Sequence, residues 1–227
     1  ALVIDPATTL DSETEYYILL AATAVDDTSG NSYAGITASS TWSFTTADIN
    51  LPTITSISSD KANSSYKVGE VIDIDVTFSE AVTSTGDITI TLETGDTDRT
   101  CTFTVTNSTT GTCNYTVESG DNSSDLEATV SGTIKDDADN TLTNFTPSTS
   151  LAANKAIIID TTNPTVTLSP LDNATGVSAS ENLILTFDGA VDTETGNIII
   201  YATSDDSVIE TIDVTDTDIV SGTGTTE

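Results

Sequence analysis

The sequence predicts an all-β fold of tandem β-sandwich domains, and three observations carry that prediction. Apolar and polar residues alternate with a period of two, as in VIDIDVTF (71–78), where Ile72, Ile74, Val76 and Phe78 share one face and Asp73, Asp75 and Thr77 the other. Clusters of Gly, Asn, Asp and Ser interrupt these segments every 8–12 residues or so, the spacing of short strands joined by turns. The chain also repeats itself. VTFSEAVTSTGDITI (76–90) aligns with LTFDGAVDTETGNIII (185–200), and an aspartate pair followed by an Asn occurs as DDTSGN from Asp26 and as DDADN from Asp136. Phe78 to Phe187 is an interval of 109 residues and Asp26 to Asp136 one of 110. A period of that length is a whole domain, about the size of an immunoglobulin-like sandwich, and too long for a solenoid unit.

Taken in order, the apolar run YYILLAATAV (16–25) is strand-sized and leads into the first aspartate turn. Trp42 and Phe44 lie on a strand in STWSFTT and are expected to face a core, as aromatic pairs on strands do. The joint FTTADINLPTI (44–54) passes from strand to Asp48 to Pro52. Strands follow at 71–78, 87–92 and 102–106, and again in KAIIID (155–160). A second joint, IIIDTTNPTV around Asp160, has the same plan, and strands at 165–168, 183–187 and 197–201 close the series. Pro fixes φ and biases its neighbour to extended geometry, so both joints read as short and stiff. No amphipathic helix is expected.

The order of the motifs sets the domain organisation. Residues 49–161 carry the Thr-Phe…Ala-Val motif first and the aspartate turn later, a complete immunoglobulin-like sandwich. Residues 1–48 carry only the later motif and read as a C-terminal half. Residues 162–227 carry only the earlier one and read as an N-terminal half, complementary to 1–48 of the next repeat or subunit. The chain opens without Met and is expected to be a portion of something longer. Two assemblies remain open: a covalent tandem array of neighbouring repeats, and a strand-exchange polymer in which identical subunits join head to tail.

Charge narrows the partners. Thirty-six acidic residues face five basic ones, and His and Met are absent, for a net charge of −31. Lys61, Lys67, Arg99, Lys135 and Lys155 all lie in the middle segment, leaving both ends without a base. Nucleic acid is excluded as a partner because its affinity comes from cationic side chains that release phosphate counterions. Anionic bilayers are disfavoured on the same ground, and no apolar run approaches the length that spans a membrane. Oxygen donors without His or a thiolate cluster suit a hard divalent cation, so Ca²⁺ is the expected cofactor. The alternative is a solvated acidic coat that binds nothing specifically.

Candidate ligands sit in the turns, where carboxylates one to four residues apart can converge on one ion. They are Asp26, Asp27 and Asn31; Asp136, Asp137, Asp139 and Asn140; and Asp121 with Asp125, together with Glu70 and Glu80. Asp48 and Asp160 at the joints, with Asp60 and Asp172 beyond them, are candidates for linker ions. The competing reading is that Asp and Asn populate turns because their side chains bond the local backbone and tolerate left-handed geometry.

The two cysteines occur in RTCTFTVTNSTTGTCNYTV. Cys101, Phe103 and Val105 alternate on one strand and Cys113, Tyr115 and Val117 on the next. A turn at 107–111 would set Cys101 opposite Cys113 at a distance a cross-strand disulfide can bridge. A disulfide implies an oxidising, extracellular setting; the alternative is a reduced pair of small core residues.

Two stretches resemble known families. YKVGEVIDIDVTFSEAVTSTGDITITLETG, YTVESGDNSSDLEATVSGTIKDDADN and LAANKAIIIDTTNPTV are similar to the Ig-like repeats of very large, calcium-stabilised bacterial surface adhesins. NPTVTLSPLDNATGVSASENLILTFDGAV and YYILLAATAVDDTSGNSYAGITASSTWSFTTAD resemble a second bacterial Ig-like family, found in surface-layer and cell-wall proteins. The resemblance implies extracellular spacers that hold a binding domain away from the cell, with Ca²⁺ stiffening domain and linker. Asp139 departs from the family's usual Gly before Asn.

The function expected is therefore a rigid structural repeat of an adhesin stalk or fibre, at the cell surface or in a secreted filament. The rival is a glycan- or protein-binding module directed at a cell-surface or biofilm target. Enzymatic activity is not expected. Without His there is no His-based triad, and nothing in the sequence places two carboxylates in a cleft, as glycoside hydrolysis requires.

Overall fold

In the computed structural model, which describes residues 1–222, residues 1–48 contribute two short strands, β1 (Glu15–Tyr17) and β2 (Ser43–Thr45). They pair antiparallel with Tyr16 opposite Phe44. The middle segment holds β3 (Ile54–Ser58), β4 (Ser64–Tyr66), β5 (Val71–Ser84), β6 (Ile88–Leu92), β7 (Arg99–Phe103), β8 (Ser108–Thr116), β9 (Asn122–Ser123), β10 (Ala128–Ser131), β11 (Ile134–Asp136), a four-residue helix α1 (Leu151–Asn154) and β12 (Ile157–Asp160). Beyond it lie β13 (Val166–Ser169), β14 (Ile184–Phe187), β15 (Asn197–Tyr201) and β16 (Val208–Asp213). The chain divides into two units, Ala1–Thr161 and Thr162–Glu227. The protein is all-β, an immunoglobulin-like β-sandwich in architecture.

The long strand β5 is the spine of the middle segment. Its alternation buries Ile72, Ile74 and Val76 completely and leaves Asp73, Asp75 and Thr77 half-buried on the opposite face. One edge of β5 pairs with β8. Along the other edge β3 and β11 follow one another, with Ile57 opposite Val76 and Asp136 opposite Val82. A second sheet runs β10-β6-β7 and brings Ile88, Ile90 and Leu92 into the same core. A third, β4-β12-β9, closes it with Tyr66, Ile157 and Ile159.

The disulfide forms, but not as a hairpin rung. Cys101 on β7 is bonded to Cys113 on β8 with their Cα atoms 5.7 Å apart. Among the described residues β7 pairs with β6 and β8 with β5, so the bond ties the two sheets together across the core. The expected turn at 107–111 is replaced by a step between sheets. Ser84 N–H donates to the Val105 carbonyl, and Asn107 N–H to the Thr83 hydroxyl. Asn107 takes a φ of 48°, which an Asn tolerates better than most residues. β8 then begins at Ser108, where a turn was expected. Gly111 has a specific purpose in it: a Cβ there would lie 2.1 Å from the Phe103 ring, so only glycine lets the aromatic ring seat.

Apart from Pro52, every buried apolar residue among those described falls between Ile54 and Ile159. Trp42 and Phe44 are 43% and 41% exposed, against the expectation of a core position. Phe44 meets Tyr16 at a ring separation of 6.1 Å, but no second layer covers the pair. In the second unit, β13–β14 and β15–β16 form two separate two-stranded sheets whose apolar residues are exposed or, as at Phe187, Ile200 and Ile212, half-buried.

Candidate metal centre

The two aspartate turns are one structure written twice. Asp136 Oδ1 accepts the Asn140 backbone N–H and Oδ2 the Asn140 side-chain amide, each at 2.8 Å. Asp27 receives the same pair of bonds from Asn31 at the same lengths. The backbone follows suit. Asp136 N–H donates to Asn140 O as Asp27 N–H does to Asn31 O, and Leu142 N–H to Ile134 O as Tyr33 N–H does to Val25 O. The equivalent of Asp136 is therefore Asp27, not Asp26, and the period is 109 residues for this motif as for Phe78 and Phe187. A double aspartate hides such a one-residue slip. Asp139, which stands where Gly30 does, adopts the same left-handed backbone, φ 68° beside 85°, so the departure from Gly leaves the turn intact.

The clasp positions a carboxylate cluster. Asn140 Nδ2 also donates to the Asp48 carbonyl at 3.2 Å, drawing residue 48 onto the end of β11. Asp48, Glu80 and Asp136 thereby come together, with one ligand oxygen from each lying within 4.8 Å of the others. Glu80 arrives by way of the irregularity in β5 between Thr77 and Val82, where the pairing with β8 shifts register. The cluster sits beside an open groove of about 460 Å³ that Glu13 and Asp137 also line.

Asp48 is held by Ser12 Oγ and by the Asn50 N–H, and Asp136 is 94% buried, so two of the three carboxylates are fixed before any ion binds. Burial, with the negative charges of Asp136, Asp48 and Glu13, raises the Glu80 pKa above its ordinary value. The ion pairs among the described residues join Arg99 to Glu118 and Asp121 and Lys135 to Asp139, so no base neutralises the cluster. An all-oxygen donor set with a charge deficit fits a hard divalent cation.

A second group was not anticipated. Asp60, Asp73 and Asp75 also converge, Asp73 Oδ2 accepting the Asp60 N–H at 2.7 Å and Asp75 Oδ1 the Thr112 hydroxyl at 2.5 Å. Asp60 was expected beside Asp48. Asp73 and Asp75 read as the wet face of a strand, and their i, i+2 spacing was the available signal.

The remaining candidates have other partners. Asp121 is 1% exposed and anchors a network: Oδ1 accepts from Arg99 Nε at 2.8 Å, and Oδ2 from the Tyr115 hydroxyl at 2.6 Å and the Glu118 N–H at 2.9 Å. Its charge is met by the Arg99 guanidinium and it lies in neither carboxylate cluster, so it is a structural anion. Asp125 is exposed and in neither cluster. Glu70 caps its own turn through the Lys67 N–H. Asp139 pairs with Lys135 at 3.3 Å, Asp26 forms a bridge to Ser32, and Asp160 ends β12 opposite Asn122. Asp172 accepts the side-chain amide of Asn173.

A family model described as a bacterial Ig-like domain matches residues 1–46. That segment is similar to an Ig-like domain. Comparison with curated proteins and with solved structures returned no match. The matched segment contains β1, β2 and the Asp27–Asn31 clasp, and the two bonds from Asn31 to the Asp27 carboxylate recur from Asn140 to Asp136.

Proposed function

We propose that this chain is a structural repeat of an extracellular bacterial adhesin stalk or fibre, a spacer whose joints are stiffened by Ca²⁺. It has no enzymatic role in this reading, and its partners are neighbouring Ig-like repeats or identical subunits. The observation that carries it is the convergence of Asp48, Glu80 and Asp136 where residues 1–48 meet the middle domain. A cation there bonds the joint residue Asp48 to β5 and β11 and cancels a repulsion that otherwise loosens the joint. The bacterial Ig-like match and the core disulfide support an extracellular setting.

Extracellular modules hold Ca²⁺ with Kd of about 10⁻⁴ to 10⁻³ M. At ion concentrations about a hundredfold above Kd, one site adds about 2.7 kcal/mol to folding. The test compares thermal melts in millimolar Ca²⁺ and in excess chelator at matched ionic strength, for the native chain and for Glu80→Gln. Ca²⁺ should raise the native melting temperature and leave the variant nearly unmoved. Coincident native curves would reduce the acidic clusters to a solvated coat.

A further inference from the structure

Residues 162–222 repeat the first half of the middle domain down to single bonds. Ser79 N–H donates to Thr53 O and Thr53 N–H to Ser79 Oγ; Asp188 N–H donates to Thr165 O and Thr165 N–H to Asp188 Oδ1. Val166 pairs with Phe187 as Ile54 pairs with Phe78, and Ile198 with Ile212 as Ile88 with Phe103. Burial is what differs. Ile74, Val76 and Ile88 are 0% exposed, while their counterparts Leu183, Leu185 and Ile198 are 60%, 40% and 38% exposed.

Residues 1–48 repeat the second half with the same deficit. Counted from the shared clasp, Leu126, Ala128 and Leu142 correspond to Tyr17, Leu19 and Tyr33. The first three are 0%, 3% and 2% exposed, the latter 58%, 53% and 49%. Isolated two-stranded hairpins are marginal in water, and an uncovered apolar sheet with open edges is a template for pairing.

The middle domain shows what covers such a half. Its first-half strands β5 and β6 accept the second-half strands β11 and β10, with Asp136 opposite Val82, Val130 opposite Ile90 and Ala128 opposite Leu92. We propose that residues 162–222 of one copy and residues 1–48 of a second copy of this chain close into one sandwich in that register. Asp27 then lies opposite Val191, Ala21 opposite Ile200 and Leu19 opposite Ala202. The inference rests on reading the chain as an assembling structural repeat, and it names the partner and the pairing. Neither segment holds a Lys or Arg, so like charge opposes the closure and salt favours it.

The test uses the full chain. Cys101 and Cys113 are bonded to each other, so an introduced cysteine is the sole free thiol. Ala21→Cys and Ile200→Cys chains, mixed in equal amounts and mildly oxidised, should give the heterodimer as the main cross-linked product. Ala21→Cys mixed with Ser207→Cys should give only background. The single tryptophan, Trp42, lies in the half to be covered, so its emission should shift to the blue as concentration or salt rises. A chain that stays monomeric to millimolar concentration in high salt, with unchanged Trp42 emission and no cross-link above background, overturns the proposal. So does cross-linking of Ala21→Cys only to itself. Running each arm with Ca²⁺ and with chelator separates the two ideas: cross-linking without any Ca²⁺ shift defeats the cation reading alone, and the converse defeats this pairing alone.

Discussion

Asp136 holds Asn140 at two points, backbone and side chain, with both bonds at 2.8 Å, and Asn140 in turn holds the Asp48 carbonyl. The matching clasp of Asp27 on Asn31 is exposed and carries no such further bond. Asn140→Ala keeps the backbone bond but removes the amide donor from a buried carboxylate and from the Asp48 carbonyl, and should destabilise the protein by about 1–3 kcal/mol. Asn31→Ala in the isolated chain should cost less than about 0.5 kcal/mol, as exposed sites do. Urea midpoints at unchanged m values measure both, and equal losses would contradict the difference in burial.

Glu80 gives the apo protein a distinctive pH response. Burial and the neighbouring Asp136, Asp48 and Glu13 raise its folded pKa above the unfolded one. Its contribution is therefore favourable below the unfolded value and is lost as pH rises through the folded value. In chelator, native stability relative to Glu80→Gln should fall as pH climbs through that window. Saturating Ca²⁺, which binds the ionised form, should shrink or reverse the difference. A native-minus-variant difference that stays flat with pH in chelator would show that Glu80 is not repelled.

Asp121 should behave in the opposite sense. Burial alone would raise its pKa, but bonds from Tyr115, the Glu118 N–H and Arg99 together lower it. Stability from this group is present above the unfolded pKa and lost as pH falls through the lowered folded value. Arg99→Met leaves a buried anion short of its cation and should cost about 3 kcal/mol at neutral pH. Guanidinium unfolding of the variant reads this directly, and a loss under about 1 kcal/mol would mean that Tyr115 and the Glu118 N–H suffice.

The disulfide joins sheets over a sequence separation of 12 residues. Loops of about 15 residues give about 3 kcal/mol by the chain-entropy account, so the Cys101→Ala, Cys113→Ala double variant should lose roughly that amount. Because the bond ties β7 to β8 across the core, amide exchange should quicken in both sheets. Quickening confined to β7 and β8 would indicate a local rung instead.

Much of this was legible in the chain. Period-two alternation marks β5 and β6 because a strand with one buried face must alternate, and the recurrence of Thr-Phe…Ala-Val and Asp…Asn exposes the repeat period because equivalent turns need equivalent side chains. The Cys101–Cys113 pairing was visible too, since both cysteines share the apolar phase of their strands. What sequence alone leaves open is which strand lies beside which. β7 and β8 look like a hairpin locally, yet each finds its hydrogen bonds in a different sheet, because the backbone donors of residues 105–107 are met by β5 residues more than twenty positions away. The meeting of Asp48, Glu80 and Asp136 belongs to the same class. Their separations in sequence carry no signal, and only the pairing of β11 on β5, with Asn140 drawing in the Asp48 carbonyl, brings them within reach of one ion. Trp42 and Phe44 have the composition of a core but remain exposed, for burial depends on a second layer and not on the residue itself.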